Sequence, residues 1–92
     1  MKKLTWNPEK ALALLNDKSR GHVSFEECAV AIERGGLLAI IDNPSKNHPN
    51  QQMYVVNIDN YAHCVPFIES ANEIFLKTVF PSRKYTAIFL TE

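Results

Sequence analysis

Arg83 and Lys84 stand side by side directly after Phe80-Pro81-Ser82. A guanidinium is a planar fork that meets two phosphate oxygens at once, so Arg83 is suited to hold a phosphodiester and to neutralise charge growing on it. The plainer alternative is a solvated charge pair that closes a strand. A second stretch with chemical potential is Asn43-Pro44-Ser45-Lys46-Asn47-His48-Pro49-Asn50-Gln51-Gln52. It is long for a hairpin connection, and long loops in small domains are disproportionately functional. Lys46 could meet a phosphate, His48 could shuttle a proton, and Gln52 with the other amides could bond base edges. A polar surface loop without chemistry is the competing reading. Arg20, before Gly21, is a further cation whose plain role is to offset the dipole at a helix end. Trp6, Tyr54 and Tyr61 could stack on bases, although strand aromatics more often pack a core or an edge. His63 and Cys64 are neighbours in a strand and point to opposite faces, which disfavours a Cys–His nucleophile pair. Cys28 and Cys64 belong to no CxxC pattern, so neither a structural zinc site nor a thioredoxin-like motif is expected. Two buried, reduced thiols are the expectation, and no metal or cofactor is implied.

The elements that must position these residues follow from local signals. Leu4-Thr5-Trp6 is apolar and β-prone and stops at Asn7-Pro8-Glu9, where an Asn cap, a Pro in the first turn and an acid start a helix. Ala11, Leu12, Leu14 and Leu15 give that helix one apolar stripe. Ser24-Phe25-Glu26-Glu27 is a capping box, with Val23 placed as a hydrophobic staple against Cys28. Phe25, Ala29 and Ile32 form the apolar face of this second helix, and Gly35-Gly36 ends it. The period then changes from 3.6 to 2. Leu37-Leu38-Ala39-Ile40-Ile41 reads as a buried strand and Met53 to Ile58 as the next. Asp59-Asn60 is a tight hairpin turn, and Tyr61 to Ile68 returns, with Pro66 implying an edge or a bulge. Ile74 to Phe80 is the last strand, and the tail from Arg83 is a short helix or an extended arm. Helices grouped before hairpin-linked strands predict an α+β fold. Its expected form is two N-terminal helices on a mostly antiparallel four-stranded sheet, with a short extra N-terminal strand as an option. The stripe of Phe25, Ala29 and Ile32 is expected to pack on Ile40, Val56 and Leu76.

Ninety-two residues suit one domain, 1–92. Ten basic and ten acidic residues balance, which argues against a protein that coats nucleic acid through overall charge and leaves only a local basic patch. The start, Met1-Lys2-Lys3-Leu4, lacks the apolar core of a signal peptide, and no apolar run approaches a membrane span. A cytoplasmic location is therefore expected.

Three segments together resemble the BrnT-type toxins, members of the wider RelE-like group of bacterial toxin–antitoxin ribonucleases. They are Thr5-Trp6-Asn7-Pro8-Glu9-Lys10, then Arg20-Gly21-His22-Val23-Ser24-Phe25-Glu26-Glu27, and finally Phe80-Pro81-Ser82-Arg83-Lys84. Their order and spacing, with the strand pattern between them, extend the likeness over nearly the whole chain. The resemblance implies a helix-packed sheet and an endoribonuclease activity that blocks translation. It also implies a ribbon-helix-helix antitoxin as partner, with operator DNA reached only through that antitoxin and no membrane involved. On it, Arg83, Lys84 and His48 become catalytic candidates, and Lys46, Gln52, Tyr85 and Arg20 become RNA-binding candidates. Two departures stand out. Gln51-Gln52 occupies the place where the family commonly starts a strand with a basic residue. The tail reads Tyr85-Thr86-Ala87-Ile88-Phe89-Leu90 where the family usually has Ala-Thr and further lysines. Tyr85 could then donate a proton or stack a base, and the apolar tail fits a docking site for a partner. The alternative function is a non-catalytic interaction domain on the same scaffold.

Overall fold

The computed structural model describes residues 2–17, 23–43 and 51–91. The chain folds as α+β, with three short helices and one mixed sheet. The first strand, β1 (Lys3–Trp6), leads into helix α1 (Pro8–Leu15). Asn7 caps α1, its side-chain oxygen accepting from the backbone N–H groups of Glu9 and Lys10, while Pro8 supplies a preset φ where no donor is needed. Helix α2 (Phe25–Glu33) starts from the reciprocal capping box: Glu27 N–H donates to Ser24 Oγ at 3.1 Å, and the Glu27 carboxylate accepts from Ser24 N–H.

Two glycines end α2 for different reasons. Gly35 takes φ +85°, a region open to glycine at little cost, whereas Gly36 passes so close to α2 and to the sheet that an added Cβ would lie 2.8 Å from the Ala31 carbonyl oxygen. That close approach lets Gly36 accept a hydrogen bond from Asn57 N–H at 2.8 Å and feeds the chain into strand β2 (Leu37–Asp42).

Strands β3 (Gln52–Ile58) and β4 (Tyr61–Glu69) form a hairpin through Asp59 and Asn60. Both turn residues have φ near +60°, as the two-residue turn that matches strand twist requires. Strand β5 (Glu73–Leu76) returns along β4, and β6 (Phe80–Pro81) continues in the same lane. Helix α3 (Arg83–Phe89) follows. The lanes run β1-β5-β4-β3-β2, every pair antiparallel except β1 with β5. The expected four strands are thus six in five lanes, because the optional N-terminal strand joins the sheet and the last strand is divided. Helices α1 and α2 carry the chain from one edge of the sheet to the other.

Leu14, Phe25 and Cys28 from the helices pack with Tyr54, Val56, Val65, Phe67, Leu76 and Val79 from the sheet. Trp6 stacks on Phe25 at 5.6 Å, and Tyr54 on Phe67 at 4.1 Å. Strand alternation puts Met53, Val55, Ala62 and Cys64 on the opposite face, and they too are buried.

Several sequence expectations are corrected by this packing. Leu12, expected in the α1 stripe, is 63% exposed, and Leu15 is exposed as well, because a two-turn helix meets the sheet along one line of contact that Leu14 and Ala11 fill. In α2 the deepest residues are Phe25 and Cys28, with Ile32 packed beside them and Ala29 only half-buried. β2 is an edge strand with no buried residue; Ile40 is 52% exposed and pairs with Tyr54, while Leu37 is the residue paired with Val56.

Pro66, expected at an edge or a bulge, lies inside the central strand β4 beside a one-residue irregularity in the next lane. The neighbouring lane accommodates it. Pairing with β5 relates Phe67 to Leu76, pairing with β6 relates Cys64 to Phe80, and the offset of one residue between these registers is taken up by 77–79. The lane is interrupted where Pro66 has no N–H to donate, while the Pro66 carbonyl still accepts from Lys77 N–H at 2.8 Å.

Candidate functional site

Ser82 places the arginine–lysine pair at the start of a short helix, one of the two forms expected for the tail from Arg83. After Pro81 closes β6, Ser82 takes an extended conformation (φ −132°, ψ 111°), and its hydroxyl accepts from Tyr85 N–H at 3.1 Å. Ser82 N–H donates to the Ala62 carbonyl at 2.9 Å. One turn on, the Thr86 hydroxyl donates to the Ser82 carbonyl at 2.7 Å and accepts from Ala62 N–H at 2.8 Å. The first turn of α3 is therefore tied by both backbone groups of Ala62 to the beginning of β4.

On this anchored turn Arg83 and Lys84 are exposed, and Tyr85 is half-buried. Arg83 forms no ion pair among the described residues. The Lys84 ammonium lies 5.4 Å over the Tyr85 ring, and that ring stacks on Phe89 at 6.1 Å. Two cations occupy the positive end of the helix, the less favourable end for them, and an anion bound there would offset both. Beyond them Ile88 is 56% exposed and Phe89 38% exposed.

Gln52 is placed elsewhere. It pairs with Phe67, five residues along β4 from Ala62, which is about 17 Å at a rise of ~3.4 Å per residue. At that same far end Asn43 and Gln51 close the base of the long loop, through Asn43 N–H to the Gln51 carbonyl at 2.8 Å and a side-chain amide bond at 3.3 Å. Lys46 and His48, which that loop carries, and Arg20 lie outside the described residues. Among the described candidates, Arg83, Lys84 and Tyr85 come together on one turn, and Gln52 does not join them.

The remaining reactive groups are built into the core. Cys28 is fully buried, and burial beside Glu27 pushes its thiol up to about 12. Cys64 is raised by burial, partly countered by a hydrogen bond with the Ser82 side chain. Both are free thiols in separate places: Cys28 in the helix-side core, Cys64 on the other face of the sheet. His63 faces the helix side, opposite Val56, with Nδ1 3.0 Å from the Tyr61 carbonyl. Its burial lowers its pKa and favours the neutral ring. His63 and Cys64 thus occupy opposite faces, as strand alternation predicts. No cluster of metal-ligating side chains occurs among the described residues.

Sequence reasoning missed Ser82 and Thr86, the two hydroxyls that fix the site. Ser82 carried a usable signal, since a Ser after a strand-ending Pro and before a run without breakers is a helix cap. Thr86 carried none, because its partner Ala62 is remote in sequence. A shallow groove of about 480 Å³ lies between α2 and the end of β3, lined by Glu27, Val30, Arg34, Asn57, Ile58 and Asp59 among others. No helix among the described residues is long and apolar enough to cross a membrane. Comparison with protein-family profiles, curated proteins and solved structures finds no match for this chain.

Proposed function

We propose that this chain is a BrnT-like toxin of a bacterial toxin–antitoxin pair, a cytoplasmic endoribonuclease that cleaves RNA and inhibits translation. The observation that carries the reading is Arg83: an exposed guanidinium without an ion-pair partner among the described residues, on a backbone held by Ser82 and Thr86. In the proposed reaction the RNA 2′-hydroxyl attacks the adjacent phosphorus and the 5′-oxygen leaves, giving a 2′,3′-cyclic phosphate and a 5′-hydroxyl. Arg83 grips the two non-bridging oxygens, where negative charge grows most in the transition state. Lys84 adds positive potential, and Tyr85 stacks a base or moves a proton. His48 remains a proton-shuttle candidate on the long loop. The exposed Ile88 and Phe89, one turn beyond the cations, give a ribbon-helix-helix antitoxin an apolar contact to bury along with Arg83.

A second reading is a non-catalytic interaction domain. The distance between Gln52 with the loop base and Arg83 favours it, since those candidates then share no single phosphate. Induced expression in bacteria separates the two. The toxin reading expects growth arrest that disappears with Arg83→Ala. Unaffected growth with wild-type protein makes the interaction domain the better account.

A further inference from the structure

The two edges of the sheet are finished differently. At one edge, β1 is short, carries Lys3 beside Lys2, and stops at Asn7-Pro8, with Lys2 bridging to Glu69. Charge, brevity and proline are the usual protections of an edge strand. At the other edge, β2 reads Leu-Leu-Ala-Ile-Ile-Asp, with no lysine and no proline; its one bulge lies between Leu37 and Ala39, and Ile40, beyond that bulge, is 52% exposed.

The direction of the β2 backbone groups follows from the register. In an antiparallel strand each residue turns its N–H and C=O to the same side, and successive residues alternate. The Pro66 carbonyl faces Lys77, so Met53 opposite it turns its own groups toward β2. Ile41, opposite Met53, and Ala39, opposite Val55, therefore direct theirs inward, and Asn43 does the same toward Gln51. Ile40 and Asp42 direct theirs outward, along an edge that no described strand pairs.

We propose that β2 pairs with β2 of a second copy of this chain, antiparallel, about a twofold axis at Ile40, joining two sheets into one. The strand complements itself in this register. Ile40 meets Ile40 of the second copy and exchanges both backbone bonds with it, and the two exposed side chains cover each other. Regular pairing spans Ala39 to Ile41 of each copy, and Asp42 falls opposite the bulge at Leu38, so the single charge of the strand never faces its own image. The formal net charge of zero imposes no overall repulsion between copies. The protected β1 edge discourages β1–β2 contacts, which would propagate without closing and leave the closed two-copy arrangement unfavoured. This inference is independent of the ribonuclease reading.

Light scattering on the eluting protein across a dilution series tests it. Wild-type protein is expected at twice the 10.5 kDa chain mass when concentrated. Ile40→Lys and Ile40→Pro are expected at the single-chain mass with unchanged circular dichroism. The proline removes only an outward N–H, so no bond within the sheet is lost. Leu12→Lys, at a more exposed apolar residue on α1, should stay dimeric. A wild-type monomer at every concentration overturns the proposal. So does a dimer that survives both Ile40 changes, or one that Leu12→Lys abolishes.

Discussion

Helices α2 and α3 begin alike and are put to opposite uses. Each follows a serine whose hydroxyl accepts from the backbone N–H three residues on. In α2 the first turn carries Glu26 and Glu27, charges that suit the positive end of a helix, and the helix sinks Phe25 and Cys28 into the core. In α3 the first turn carries Arg83 and Lys84, no residue is buried, and the anchoring runs through hydroxyls and the Ala62 backbone. Local rules and burial all favour stability in α2. In α3 they conflict, and such conflict in a well-capped helix is the kind found where a protein reserves residues for a ligand.

Changes that disturb one helix should therefore read out differently from changes in the other. The largest effect on stability is expected from Phe25→Ala, which removes a fully buried ring that also stacks on Trp6. Urea unfolding should show a loss of about 3–5 kcal/mol. Ser24→Ala breaks the capping box and should cost about 1 kcal/mol by the same measurement, with the midpoint moving and the slope unchanged. Arg83→Glu should act in the other direction, stabilising the fold by roughly 0.3–1 kcal/mol at low salt as an acid replaces a cation at the helix start. High salt should erase that gain. A destabilised Arg83→Glu protein would mean that the guanidinium holds the fold together, and the contrast between the helices would fail.

The caps and turns of this fold were legible because each is local. Asn7-Pro8, Ser24 with Glu27, and Asp59-Asn60 all act as their spacing predicts. What escaped depends on partners far along the chain. The parallel pairing of β1 with β5 joins Leu4 to Ile74, and the break between β5 and β6 answers Pro66 on another strand. The exposure of Leu12 and Ile40 likewise follows from where the helices end over the sheet. At the candidate site, the residue types of Arg83 and Lys84 fit a solvated charge pair more readily than a phosphate grip, and it was the resemblance that singled them out. The separation of Gln52 from Arg83 is a consequence of β3–β4 register, which no nearby residue announces.

The most direct test of the central claim is cleavage of RNA by the purified chain in the presence of a chelator, comparing wild type with Arg83→Ala and Arg83→Lys. The account predicts products ending in 2′,3′-cyclic phosphate, a rate about 10²–10³ lower for Arg83→Ala, and partial recovery for Arg83→Lys, whose ammonium lacks the two-pronged contact. Circular dichroism should be unchanged in both variants, since the Arg83 side chain is exposed. Intact RNA with the wild-type protein, or full activity in a folded Arg83→Ala variant, would contradict it.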